Sequence, residues 1–271
     1  KCLGALLLWC SMAIAEQPVS VAFVSDAARI DPGGRAYVGV HFTIKPGWYI
    51  YYKNPGETGL PTKVRLATSD GTAVGDVIYP IPDRFISSEE VVGYGYKESL
   101  LLKLPVHVAA DARHGRQVTF TGEAKWLACS DSLCVPGKAK FKKAVLLGQQ
   151  RVHDDGKLFE QWAQRFPKNA SEIKIIDRIS AEGSRDEDRI SLKLVIHWKE
   201  GVESPRWIPD AIEGVIFAEQ ERSTNGLVDT LEIEARRMPG SGFSAGVIKG
   251  ILVFEPAGGA RQGTPIWFSL R

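Results

Sequence analysis

Cys129 and Cys134 are the residues of this chain best suited to covalent chemistry. They lie in Trp126-Leu127-Ala128-Cys129-Ser130-Asp131-Ser132-Leu133-Cys134-Val135-Pro136-Gly137. A close pair of thiols in an oxidising compartment normally forms a disulfide. Closing so small a loop adds roughly 2 kcal/mol of stability, against about 4.7 kcal/mol for a loop of a hundred residues. A domain of ordinary size does not depend on such a staple. The spacing suits a bridge that opens and re-forms while a short turn holds both thiols. It equally permits an inert local disulfide, because counting cysteines does not assign reactivity. A zinc site would want four ligands, and His41, His107, His114, His153 and His197 are scattered away from the pair. A c-type haem would need a C-x-x-C-H run, which the sequence lacks. No metal and no cofactor is expected.

The other two cysteines, Cys2 and Cys10, fall in an N-terminal segment that reads as a secretory signal. Lys1 supplies a positive start, Leu3 to Ala13 is mostly apolar, and Ala13-Ile14-Ala15 matches a small-x-small cleavage pattern. Residues 1–15 are therefore expected to be a signal peptide. Trp9 before Cys10 argues for simple cleavage over lipidation. No later run reaches the length of a membrane span, so the mature region is expected to be soluble. A membrane region beyond Arg271 in a longer parent chain stays open. The 34 basic and 32 acidic residues leave a net charge of +2. With no basic stripe or acidic tail in the linear order, neither nucleic acid nor anionic lipid is expected as a partner.

The elements that must position the pair read as strands. Tyr37 to Ile44 alternates, and Val19 to Val24, Trp48 to Tyr52, Val64 to Leu66, Leu100 to Leu104, Val118 to Thr121, Ala124 to Leu127 and Ala139 to Leu147 are further candidates. Lys45-Pro46-Gly47, Asn54-Pro55-Gly56, Pro80-Ile81-Pro82 and Val135-Pro136-Gly137 punctuate them as turns. After Asp154-Asp155, the i, i+4, i+8 spacing of Leu158, Trp162 and Phe166 predicts a short helix ended by Pro167. Strand patterning resumes at Ile190 to Ile196, Val215 to Ala218, Leu227 to Ile233, Val247 to Phe254 and Ile266 to Leu270, with Ala181 to Asp188 as a charged loop. The fold class is all-β: two immunoglobulin-like antiparallel β-sandwich domains joined by a short helix. The expected divisions are a cysteine-bearing domain over 16–148, a helical connector over 149–168 and a second sandwich over 169–271.

Three segments resemble the N-terminal periplasmic domain of the DsbD/ScsB family of thiol:disulfide interchange proteins. They are the run from Trp48 through Tyr52-Lys53-Asn54-Pro55-Gly56 to Pro61, then Gly93-Tyr94-Gly95-Tyr96-Lys97-Glu98, then Trp126 to Pro136. The resemblance implies an immunoglobulin-like domain in the periplasm with Cys129 and Cys134 as its redox pair. Cys134 becomes the candidate for mixed disulfides. The implied partners are thioredoxin-fold periplasmic proteins and a membrane-embedded electron donor, in the same longer chain or a separate protein. A mobile cap over the pair is a family feature. Glu89 and Glu90 match its acidic part, and Tyr94 or Tyr96 its shielding aromatic. The family also suggests cytochrome c biogenesis and, through ScsB, copper tolerance. Two Met in the whole chain, one of them in the signal, offer no methionine-rich copper site.

Beside the pair, Trp126 reads as a core residue before it reads as near-site support, and Asp131 as a turn cap before a local acid or base. Lys125 and Lys138 would favour a thiolate, whereas Glu89, Glu90 and Asp131 would oppose one. Two other classes fit the same residues. One is a binding module whose aromatics, such as Trp48 and Tyr51, grip a ligand; the other is an assembly module with a structural bridge.

Overall fold

The computed structural model describes residues 17–69, 72–86, 91–149, 151–152, 155–218, 220–241 and 246–271. The chain is all-β and has two domains. The first contains β1 (Val19–Ser25), β2 (Ala27–Ile30), β3 (Arg35–Ile44), β4 (Tyr49–Gly56), β5 (Lys63–Thr68), β6 (Thr72–Val74), β7 (Asp83–Ile86), β8 (Val92–Lys97), β9 (Ser99–Val108), β10 (Gln117–Cys129), β11 (Cys134–Leu147) and β12 (Arg151–Val152). One sheet runs β1-β3-β9-β6, and the facing sheet runs β12-β2-β11-β10-β4-β8-β7. β5 also pairs with β10, below the short β4 contact. Alternation decides which side chains meet between the layers. Val38, Val40, Phe42, Leu100, Leu102 and Leu104 from one sheet pack on Ile50, Phe120, Ala124, Trp126, Ala128 and Val145 from the other.

A helix, α1 (Gly156–Trp162), follows and tightens into a 3-10 turn over Ala163–Arg165. Trp162 and Phe166 bury against Val24 and Leu101 on the back of the first sheet, with Leu158 partly buried beside them. Asp155 precedes the helix without capping it; its carboxylate accepts the Ser25 N–H at 3.2 Å. Asp154 lies outside the described residues.

The second domain contains β13 (Ile176–Asp186), β14 (Arg189–Trp198), β15 (Val202–Pro209), β16 (Val215–Phe217), β17 (Glu221–Asn225), β18 (Val228–Arg237), β19 (Val247–Pro256) and β20 (Gln262–Ser269). Sheet β13-β14-β18-β16, with β17 also on β18, faces sheet β15-β19-β20. Leu192, Leu194, Leu231 and Ile233 pack on Trp207, Leu252, Phe254 and Phe268. The outer face of the smaller sheet presents Ile208, Ile251 and Val253, which join the core cluster of the first domain. Apolar burial thus continues across the junction.

Three local expectations change. The candidates Val118 to Thr121 and Ala124 to Leu127 are one strand, β10, in unbroken register with β11. Val135-Pro136-Gly137 is no turn: Pro136 pairs with Leu127 inside β11, and the Trp126 indole lies over Gly137. Ala181 to Asp186 is no loop. It continues β13, a strand along the sheet edge whose side chains largely face solvent, so its composition is polar.

Candidate active site

Cys129 ends β10 and Cys134 begins β11, directly opposite one another on the last rung of the hairpin. They are joined by a disulfide, with Cα atoms 4.1 Å apart. Non-hydrogen-bonded cross-strand pairs bring Cα atoms to about 4.5 Å, so the ladder itself presents these two residues at bridging range. Rungs from Gln117–Leu146 to Ala128–Val135 lie below the pair. The connecting turn is closed by the Ser130 N–H donating to the Leu133 carbonyl at 2.8 Å. The Ser130 hydroxyl accepts the Leu133 N–H at 3.2 Å. Neither the rungs nor the turn needs the sulfur–sulfur bond to keep the thiols together.

The two sulfurs sit in different surroundings. Cys129 is fully buried, whereas Cys134 is exposed. Cys129 is the cross-strand partner of Tyr49 on β4. The Tyr51 hydroxyl donates to Cys129 Sγ at 3.7 Å. Burial and the neighbouring Tyr49 push the Tyr51 phenol up to about 12, so it stays a donor throughout the neutral range. Its ring rests on Gly59, where a Cβ would come within 2.3 Å and φ is +102°. Glycine meets both demands there.

Phe85 completes this cluster. Its ring centroid is 4.5 Å from that of Tyr49 and 6.1 Å from that of Tyr51. It lies over Gly93, where a Cβ would sit 2.3 Å from the ring. The start of its strand is held from the other domain: Arg261 donates to the Asp83 carboxylate at 2.6 Å and to Glu255 at 2.9 Å. β4 is held similarly, through Asn54 Nδ2 donating to the Pro209 carbonyl at 2.8 Å and a Lys53–Asp210 ion pair. The second domain therefore grips both strands that supply the aromatic cluster.

The other residues singled out by sequence lie as follows. Side chains alternate along β8, so Tyr94 and Tyr96 point to the opposite face from Gly93, Gly95 and the Phe85 ring. Tyr94 lines a cleft of about 630 Å³ toward the second domain, with Arg84, Arg206 and Phe217. Tyr96 is buried in the sandwich core, its hydroxyl donating to the Pro80 carbonyl at 2.8 Å. Glu89 and Glu90 lie outside the described residues. Trp126 is a core residue, edge-on to Phe42 at 5.6 Å. Asp131 is exposed in the turn. Lys125 and Lys138 both bind Glu123, at 2.9 and 2.7 Å. They lie about 13 Å along the strands from the sulfurs and are no local partners for a thiolate. Tyr49 and Phe85 were missed. The usable signal was the period of two in Trp48 to Tyr52, which puts Tyr49 and Tyr51 on one face. Among the described residues, no three His, Cys, Asp or Glu side chains come together as a metal site.

A buried, hydrogen-bonded sulfur joined to an exposed one at a hairpin tip is an arrangement for thiol–disulfide exchange. Residues 17–146 match the family described as thiol:disulfide interchange protein DsbD, N-terminal. This part of the chain belongs to that family. The DsbD-type domain and the domain after it together resemble the N-terminal periplasmic domain of ScsB from Proteus mirabilis. That match has 15% identity, a TM-score of 0.63 and coverage of 94% of each chain. The Neisseria meningitidis DsbD N-terminal domain, in its reduced form, matches at 17% identity and a TM-score of 0.29, over 48% of this chain and 90% of that one. None of the curated proteins compared with the chain matches it. The chain carries a thiol:disulfide interchange module with its cysteines bridged. No helix among the described residues is long and apolar enough to cross a membrane.

Proposed function

We propose that this chain passes reducing equivalents to thioredoxin-fold proteins of the periplasm through Cys129 and Cys134, and is itself re-reduced by a membrane-embedded donor. The observation that carries this reading is the asymmetry of the two sulfurs. An incoming thiolate reaches exposed Cys134 and forms a mixed disulfide there. Cys129 leaves as a thiolate, and the Tyr51 O–H is in place to receive its charge. In the reverse direction the Cys134 thiolate attacks a partner disulfide, and Cys129 then attacks Cys134 Sγ to release the reduced partner. Burial disfavours a charged Cys129, and a hydrogen bond to the charged form offsets that.

Tyr49, Tyr51 and Phe85 take the covering role that sequence had offered to Tyr94 and Tyr96. They back and flank Cys129, leaving Cys134 as the sulfur that meets solvent. Asp131 acts as a turn residue and Trp126 as core support.

The test is trapping. Cys129→Ser leaves Cys134 able to form a mixed disulfide that nothing resolves, whereas Cys134→Ser leaves the buried sulfur. Both variants are incubated with a thioredoxin-fold protein whose own pair is oxidised, and adducts are read by non-reducing electrophoresis and mass spectrometry. The expected result is a stable adduct with Cys129→Ser and little with Cys134→Ser. Equal trapping by both variants, or by neither, would contradict the assignment.

A further inference from the structure

The face of the sheet that carries the disulfide also carries a block of positive charge invisible in the linear sequence. Odd-numbered residues of β10 and even-numbered residues of β11 point outward with Cys129 and Cys134. Along this face, the row below the cysteines is Leu127 and Pro136. The next is Lys63, Lys125 and Lys138, three lysines side by side on three strands. Then come Arg65, Glu123 and Lys140, and after them Ala67, Thr121 and Lys142. Lys63, Arg65, Lys125, Lys138, Lys140 and Lys142 are all exposed. Glu123 is the one carboxylate on these rows. It binds Lys138 and Lys125, whose ammonium groups hold its carboxyl down at about 2.

Like charges directly opposite on neighbouring strands destabilise a sheet. The chain nevertheless sets Lys63, Lys125 and Lys138 in one row and supplies a single acid among six cations. The whole chain has a net charge of only +2, so this face holds a positive excess that the rest of the molecule offsets. The position matters as much as the sign. At about 3.3 Å per residue the triple-lysine row lies about 13 Å from Cys129, and the Arg65–Lys140 row about 20 Å. A protein interface of standard size covers about 800 Å² on each partner, a disc of roughly 16 Å radius. A protein that puts its own sulfur on Cys134 therefore covers the lysine row and reaches toward the next.

We propose that this basic face is the docking surface for the exchange partner, and that the partner presents an acidic patch beside its reactive sulfur. The inference rests on the exchange reading of the cysteine pair and adds the charge of the partner. Leu127 and Pro136 form the uncharged strip against which the partner's reactive turn lies, and the lysine grid beyond steers and orients the encounter. Complementary fields of this kind act mainly on association rate and fade with salt.

The test uses the reduced, full-length chain and two synthetic peptides. Each has an N-terminal Cys blocked as its 2-thiopyridyl disulfide, followed by four Gly-Glu repeats in one and four Gly-Gln repeats in the other. The Cys134 thiolate attacks the peptide sulfur, forming a protein–peptide disulfide and expelling pyridine-2-thione. Cys129 then attacks Cys134 Sγ and releases the peptide as a thiol. The protein dithiol is oxidised, the probe disulfide is reduced to two thiols, and the two protons lost by the protein end on the two released sulfurs. Thione absorbance gives the second-order rate constant.

The Glu peptide is expected to react about tenfold faster than the Gln peptide at low ionic strength. That advantage should vanish near ~0.5 M salt, where screening acts within a few ångströms. It should also vanish in Lys63→Glu/Lys140→Glu/Lys142→Glu, while the Gln-peptide rate stays unchanged and so reports an intact fold and pair. Equal rates for the two peptides in the unmodified protein would overturn the docking face, as would a Glu advantage surviving in the triple variant. Tight binding of duplex DNA or of phosphatidylglycerol vesicles without any Glu-peptide advantage would overturn it in favour of a polyanion surface. If neither peptide reacts, the exchange reading itself fails, a result distinct from equal rates.

Discussion

Tyr51→Phe removes one oxygen and leaves the packing of its ring on Gly59 unchanged. The lost contact is the O–H donated to Cys129 Sγ at 3.7 Å. Hydrogen bonds to charged groups contribute about 1.5–3 kcal/mol, and a contact of this length belongs at the lower end. Losing ~1.5 kcal/mol from the thiolate raises the Cys129 pKa by about one unit, at 1.36 kcal/mol per unit. When Cys129 is the leaving group, about half of its charge has developed at the transition state. The barrier to reductive opening then rises by about 0.7 kcal/mol, slowing it roughly threefold. The assay is dithiothreitol reduction under pseudo-first-order conditions, quenched by alkylation. The Cys129 pKa is read separately in a Cys134→Ser background from thiolate absorbance, with and without Tyr51→Phe. An unchanged pKa together with an unchanged opening rate would refute the role given to Tyr51.

Gly59→Ala introduces a Cβ into the Tyr51 ring at a backbone angle that L-residues avoid; it should cost at least about 2 kcal/mol in denaturant unfolding. Tyr51, Tyr52, Tyr79 and Tyr96 are all pushed up by burial. In the unfolded chain they ionise near pH 10, so stability should be whole below that and fall as pH rises toward 12. At pH 11 the tyrosinate absorbance of the folded protein should lack the contribution of these four. Asp229 is buried and accepts hydrogen bonds from Trp198, Arg222 and Thr224. Burial raises its pKa, but those donors outweigh burial and leave it lowered. Its contribution is therefore present above pH ~4 and lost as the pH falls further, and Asp229→Ala should cost about 3 kcal/mol by calorimetry. Arg261→Ala frees Asp83 at the start of the Phe85 strand. It should cost under about 1 kcal/mol yet speed dithiothreitol attack on the disulfide, with the Asp83→Arg/Arg261→Asp exchange restoring the slower rate.

The chemistry of the site was legible because it is local in sequence. The cysteine spacing, the run from Trp48 to Pro61 and the alternation of Tyr37 to Ile44 each carry their meaning within a dozen residues. What depended on register was not legible. Tyr51 meets Cys129 across 78 positions, and the pairing of Cys129 with Tyr49 must be known before their shared face means anything. Tyr94 and Tyr96 attracted attention by their place in a motif, but the pleat of β8 turns them away from the Phe85 face. Lys63 and Arg65 lie some sixty residues from Lys125, so the basic face is a product of strand pairing and leaves no basic run to read. Pro136-Gly137 reads as a turn because its partner, the Trp126 ring that fills the space over Gly137, belongs to the neighbouring strand. In β13 the residues Ala181 to Asp186 read as loop because an edge strand with solvent on one side has little need of apolar side chains.

The central claim is that the Cys129–Cys134 bridge exists to be opened. Equilibration of the full chain against graded dithiothreitol redox buffers, with free thiols counted by mass-tagged alkylation, measures the reduction potential of the pair. The account predicts reversible opening at a potential above about −300 mV with the far-ultraviolet spectrum retained. A potential well below that value, or loss of the fold on reduction, would contradict it.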